Sequence, residues 1–107
     1  MGFFDPPHQK ILAKSPAYFR TEIAQGGEVL DQALKRVPAT GRDLFRTVVI
    51  GSLALRSASN DVAGWSNENT RYAETAVNNA YRFLPNEVRQ LALQTVAEIV
   101  ARPWDHD

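Results

Sequence analysis

The stretch that decides the fold runs from Gly41 to Ser59 and reads GRDLFRTVVIGSLALRSAS. It is the longest segment of the chain that stays apolar without a helix-breaking residue. On a helical wheel of about 100° per residue, Leu44 and Val48 fall on one side, while Val49 and Leu53 fall on the other. A helix that is apolar on two sides is buried on both. We therefore predict a central buried helix at about residues 41–59.

The remaining periodic segments predict an all-α fold, a compact bundle of five or six helices around this central helix. A buried strand within the same apolar stretch is the rival interpretation, but one strand without partners makes no sheet. Proline in a first turn opens several of the other helices, and glycine or proline ends them. The other expected helices span about residues 6–14, 16–25, 28–37, 68–84 and 86–101.

Three helix ends carry specific capping predictions. Gly26 and Gly27 are expected to end the second helix in a left-handed conformation. Thr40 and Asp43 have the spacing of a capping pair for the central helix, with aspartate in place of the usual glutamate. Ser66 or Asn67 is expected to cap the helix that follows, because both side chains accept hydrogen bonds from free amides.

Composition indicates one ordinary globular domain over residues 1–107, with frayed ends expected at 1–4 and 103–107. Twelve basic residues balance twelve acidic ones, so bulk attraction to nucleic acid or to an anionic membrane is not expected. Cysteine is absent, which excludes disulfides and thiolate chemistry. With no secretory pattern and no apolar run long enough to cross a membrane, the expected location is cytoplasmic.

Residues suited to catalysis are few, so we expect a protein that is not an enzyme and carries no cofactor. The two histidines, His8 and His106, lie near the ends of the sequence, and neither has a sequence neighbour that suggests a catalytic pair or a metal site. Ser52 follows Gly51 but lacks the motif of a serine nucleophile. The glycines do not form a phosphate-binding loop.

A local excess of positive charge singles out the segment from Lys35 to Arg56, which carries five basic residues against one acidic residue, Asp43. Helical spacing places part of this segment on one stripe, about 20 Å long at the helical rise. The stripe consists of Arg42, Arg46, Val49, Leu53 and Arg56.

This arginine-flanked apolar stripe predicts a non-enzymatic protein–protein interaction module, a small adaptor, regulator or inhibitor. Val49 and Leu53 would anchor an acidic helix or tail of a protein partner, and the guanidinium groups would bind its carboxylates. A second interpretation is that another helix of the same domain covers the two apolar residues. In that case the arginines pair with Glu22, Asp31 or Glu74.

An alternative from another class is a nucleic-acid-associated helical subunit that contacts phosphates through the basic segment 35–56. No helix-turn-helix or aromatic stacking pattern accompanies that segment. The candidate contacts are Lys35, Arg36, Arg42, Arg46 and Arg56.

Some apolar and polar segments leave further alternatives. A homodimer would form if the domain alone did not cover both sides of the central helix. Phe3 and Phe4 pack back on the domain or dock on a partner, and Trp65 is expected to be buried. The asparagine-rich segment 60–69 is either a recognition loop or an ordinary polar loop.

Overall fold

The computed structural model of the chain describes residues 6–60 and 64–102. Within these ranges the protein is an all-α bundle of six α-helices, as the periodicity predicts, and contains no strand. A short 3-10 turn, Ala39–Gly41, leads directly into the fourth helix. The helices are α1 (Pro7–Ala13), α2 (Ala17–Gln25), α3 (Gly27–Leu34), α4 (Arg42–Ser59), α5 (Asn67–Phe83) and α6 (Asn86–Ala101).

Helix α4 is the central buried helix that the sequence predicts. Its middle is almost completely inaccessible, with Val48 and Val49 exposed by 1% and 0%. Helix α5 packs against the side that carries Gly51, and α6 approaches the side that carries Leu53. Both apolar sides of α4 are therefore covered within one chain, and the condition for a dimer through this helix is not met.

Helices α4 and α5 pack very closely because small residues meet at their interface. A Cβ atom added to Gly51 would overlap the Cγ2 atom of Val77 on α5. Three alanines of α5 are buried: Ala73, Ala76 and Ala80. The small-residue side of the central helix thus serves packing inside the domain.

Of the three capping predictions, one is confirmed, one is wrong and one is confirmed in part. The Ser66 side chain caps α5 by accepting a hydrogen bond from the Asn69 amide at 3.0 Å. Gly41 stands at the N-cap of α4, so Thr40 lies inside the 3-10 turn and does not cap it. Helix α2 ends at Gln25 with Gly26 as its C-cap, as predicted, but Gly26 has φ −84° and not a left-handed conformation, because α3 begins at the next residue.

Several sequence predictions concern residues outside the described ranges. These include Phe3, Phe4, Trp104 and the histidine at position 106. One prediction about aromatic burial is tested: Trp65, expected to be buried, is only half-buried. Tyr72 on α5 is 38% exposed and lies at the edge of the α4–α5 interface.

Candidate functional site

The predicted stripe on α4 is covered along its middle. Val49 is fully buried and Leu53 is 8% exposed, so neither forms an anchor on an exposed helix face. Their prediction as surface anchors is wrong because the rest of the bundle, which packs on α4, already covers them. Burial of these two residues agrees with the interpretation that the domain itself covers them.

The three arginines of the stripe have different surroundings. The Arg42 Nε atom donates a hydrogen bond to the Val37 carbonyl at 3.2 Å. Arg46 pairs with Asp43, its Nη1 atom 3.2 Å from Oδ1. Arg56 is exposed, and its guanidinium has no ion pair within residues 6–60 and 64–102. The expected pairs with Glu22, Asp31 or Glu74 do not occur in these ranges either.

Arg56 lies at the edge of a groove between α2, the second half of α4 and the end of α6. We call it the Arg56 groove. Its volume is about 270 Å³. The apolar side chains that line it are Phe19, Ile23, Leu53, Ile99 and Val100. Glu22 and Arg56 also line it, together with Tyr18, Ser57 and Asn60, so the groove combines apolar side chains with one carboxylate, one guanidinium and neutral polar groups.

A hydrogen-bonded cluster borders the Arg56 groove. The Tyr18 and Ser57 hydroxyl oxygens are 2.9 Å apart, and both residues line the groove. The indole Nε1 of Trp65 donates to the Tyr18 hydroxyl at 2.7 Å and lies 3.2 Å from that of Ser57. The Trp65 ring packs edge-on against Phe19, with ring centroids 5.0 Å apart. We therefore expect Trp65 fluorescence to respond to a ligand in this groove, because Tyr18 and Ser57 line it.

The Arg56 groove joins two residues of the predicted stripe, Leu53 and Arg56, to residues of α2 and α6. Tyr18 and Ile23 on α2, with Val100 on α6, are only half-buried and line it. No spacing in the sequence signals their approach, because the three elements are far apart along the chain. What the groove can do chemically is bind an apolar side chain beside a charged group.

The remaining candidates for nucleic-acid contact do not continue this site. Arg36 lines a separate groove between α3 and α6, where Glu28 and Glu98 also lie. Lys35 is exposed at the end of α3. Arg42 and Arg46 keep their charges in the contacts described above, but Arg36 lies in the groove between α3 and α6 and not in the Arg56 groove.

His8 is a residue whose surroundings the sequence does not reveal. Its side chain is buried, and its Nε2 atom lies 3.6 Å from Asp43 Oδ1, too far for a good hydrogen bond. Burial lowers the pKa of His8, Asp43 opposes this shift, and Arg46 adds to it. His8 is therefore a buried, predominantly neutral imidazole at neutral pH.

This burial predicts a pH-dependent stability. Because the pKa of His8 is lower in the folded state than the ordinary histidine value of 6.5, the unfolded chain binds the proton more readily. Stability is therefore full above pH 6.5 and falls as the pH decreases toward the folded pKa, by at most about 1.4 kcal/mol per pH unit. Urea unfolding at pH 7.5 and 5.5 measures this loss. A His8→Gln variant should lose less over the same interval, and equal losses would contradict the assignment.

No group of three or more histidine, aspartate or glutamate residues that could hold a metal ion occurs in the described part of the chain. None of the described helices has the length and apolarity needed to cross a membrane. The chain matches no family model, and no curated protein or solved structure matches it.

Proposed function

We propose that the protein is a non-enzymatic interaction module, a small adaptor, regulator or inhibitor, that binds a short segment of a protein partner in the Arg56 groove. The observation that carries the proposal is the position of Arg56, an exposed guanidinium that lines a groove of mixed apolar and polar character together with Leu53. The proposed partner is still a segment with apolar and acidic residues, as the sequence predicts. The proposed site lies at the last turns of α4 and not at its middle.

The size and lining of the groove favour a peptide side chain as the occupant. At about 270 Å³ the groove is at the lower end of the range of roughly 300–1,000 Å³ typical of pockets that bind small molecules. Ile23 and Val100 are half-buried, so an apolar side chain placed against them would remove further area from water. The fit is to one or two apolar side chains of a partner.

The two charges at the edge determine the polarity of the partner. A guanidinium binds carboxylates through two parallel hydrogen bonds, so Arg56 favours an aspartate or glutamate next to the apolar anchor. Glu22 disfavours a second carboxylate at its own edge. We therefore propose a segment that combines apolar residues with a carboxylate.

The nucleic-acid alternative has less support from the geometry. Phosphate tracking needs several available cations along one surface. Arg42 and Arg46 form bonds within the domain, and Arg36 shares its groove with Arg102 and two glutamates, whose charges balance those of the arginines. We propose a cytoplasmic location, because a chain without cysteine cannot form the disulfides that are typical of oxidising compartments. No observation supports a homodimer over a different protein partner.

Selection of random peptides tests the proposal without a known partner. Phage-displayed peptides of about twelve residues would be selected on the immobilised full chain. We expect enrichment of sequences that combine leucine, isoleucine, phenylalanine or methionine with aspartate or glutamate. Binding of a selected peptide is measured by Trp65 fluorescence in a Trp104→Phe background, because Trp65 bonds two residues of the groove.

The Arg56→Gln variant is the decisive comparison. Loss of a charge-assisted hydrogen bond should weaken binding of the selected peptide about tenfold. Arg71→Gln is the matched control, because Arg71 is exposed on α5 and does not line the Arg56 groove. Equal affinity for Arg56→Gln and the unmodified chain, enrichment of basic peptides, or no enrichment would contradict the proposal. Salt-sensitive binding of an oligothymidylate would favour the nucleic-acid alternative instead.

A further inference from the structure

A second groove, between α4 and α5 at the start of α1, carries an inference that is independent of the Arg56 groove. Its volume is about 300 Å³, and we call it the Phe83 groove. Phe83 is 70% exposed and Tyr72 is 38% exposed, and both line it. The third large apolar side chain that is exposed in the described ranges, Leu93, does not line it. Apolar surface is thus concentrated here.

Helix α1 lies along the same α4–α5 interface. Ile11 is fully buried, with its Cδ1 atom 3.6 Å from the Cβ position of Gly51 on α4. Its carbonyl accepts a hydrogen bond from Asn69 Nδ2 on α5 at 3.4 Å. At the other end of α1, Pro7 lines the Phe83 groove. The groove is therefore the continuation, beyond the first turn of α1, of the interface that α1 fills.

The chain enters α1 at the end that borders the Phe83 groove. Pro6 has an extended backbone, with φ −60° and ψ 151°, and the segment Met1–Asp5 precedes it. Phe4 is three residues before Pro7, so its Cα atom lies within about 11 Å of that of Pro7. A phenylalanine of this segment can therefore reach the groove.

We propose that the segment Met1–Asp5 occupies the Phe83 groove of its own chain, with Phe3 or Phe4 as the apolar anchor. The groove offers Leu44, Ala76 and Ala80 beside the two aromatic rings. Contact with a phenylalanine removes apolar area from water on both partners. The occupant is a segment already tethered at the edge of the groove, so its effective concentration there is high.

Disulfide trapping tests this proposal, because the chain contains no cysteine. The full chain would carry Gly2→Cys with Asn79→Cys, since Asn79 is exposed and lines the Phe83 groove. The rate of intrachain disulfide formation under a mild oxidant is measured by mass spectrometry of tryptic peptides. Adding Phe3→Ser and Phe4→Ser, or Phe83→Ser alone, should slow this rate by about fivefold or more.

The control separates docking from simple proximity of a tethered segment. Leu93→Ser removes an exposed apolar side chain outside the groove, so it should leave the rate unchanged. A rate that is insensitive to the serine substitutions at Phe3, Phe4 and Phe83 would overturn the proposal. Disulfide-linked dimers that disappear on dilution would also overturn it, because they would show a second copy in the groove.

Discussion

A Gly51→Ala variant is expected to lose about 2–3 kcal/mol of its free energy of unfolding. The added Cβ atom overlaps Cγ2 of Val77, a β-branched side chain that has one strongly preferred rotamer in a helix. The overlap is therefore relieved only by separating α4 from α5, which loosens the packing of the buried alanines of α5. The loss exceeds the roughly 1 kcal/mol that alanine normally gains over glycine in a helix. Urea unfolding followed by circular dichroism measures it.

Two further variants isolate the cause. Gly27→Ala is the matched control, because Gly27 lies in a helix and has no atom within 4 Å of an added Cβ. It should be neutral or stabilising by up to about 1 kcal/mol. Val77→Ala combined with Gly51→Ala should recover part of the loss, since it removes the overlapping Cγ2 atom. Additive losses in this double variant would contradict the steric explanation.

A Phe19→Ala variant is expected to lose about 3–5 kcal/mol of its free energy of unfolding, because Phe19 is 1% exposed and removing its ring leaves a cavity. It also removes the edge-on contact with the Trp65 ring. Urea unfolding followed by Trp65 fluorescence, in the Trp104→Phe background, reports both effects. The Trp65 fluorescence of the folded variant should differ from that of the folded parent chain, because the contact with the Phe19 ring is lost.

The dependence of the lost free energy of unfolding on the size of the side chain at position 19 shows whether a cavity causes the loss. Phe19→Leu retains most of the apolar volume and should cost only about 1–1.5 kcal/mol. Leu93→Ala, at a side chain that is 46% exposed, should cost less than about 1 kcal/mol. Similar losses for Phe19→Leu and Phe19→Ala would show that the loss does not come from a cavity beside Trp65.

The fold is largely predictable because local signals agree with one another. The apolar run from Gly41 to Ser59 is longer than any other apolar segment of the sequence, and α4 spans Arg42–Ser59 as expected. Proline at Pro85 separates two periodic segments, and α6 begins at the following residue. Capping is less predictable, since Thr40 has the right side chain but the wrong backbone position.

The candidate site is less predictable because it depends on contacts between distant segments. A helical wheel places Val49 and Leu53 beside the arginines but does not show which side of α4 another helix covers. The hydrogen bond between Tyr18 and Ser57 joins residues 39 positions apart. The wheel likewise does not show that Arg42 and Arg46 find partners within the domain while Arg56 lies at the edge of a groove.

The two proposals concern separate grooves. The Arg56 groove combines apolar and charged groups, which suits recognition of another protein. The Phe83 groove is lined mainly by apolar and uncharged side chains and adjoins the segment that leads into α1. Failure of one proposal leaves the other intact, because no residue lines both grooves.

The most direct test of the central claim is a nuclear magnetic resonance titration of the 15N-labelled full chain with a selected peptide. We predict that amide shifts cluster at α2, the end of α4 and the end of α6, with Ile23, Arg56 and Val100 among the most affected. Shifts confined to Tyr72, Asn79 and Phe83, or to the basic residues at the end of α3, would contradict the claim that the Arg56 groove is the partner-binding site.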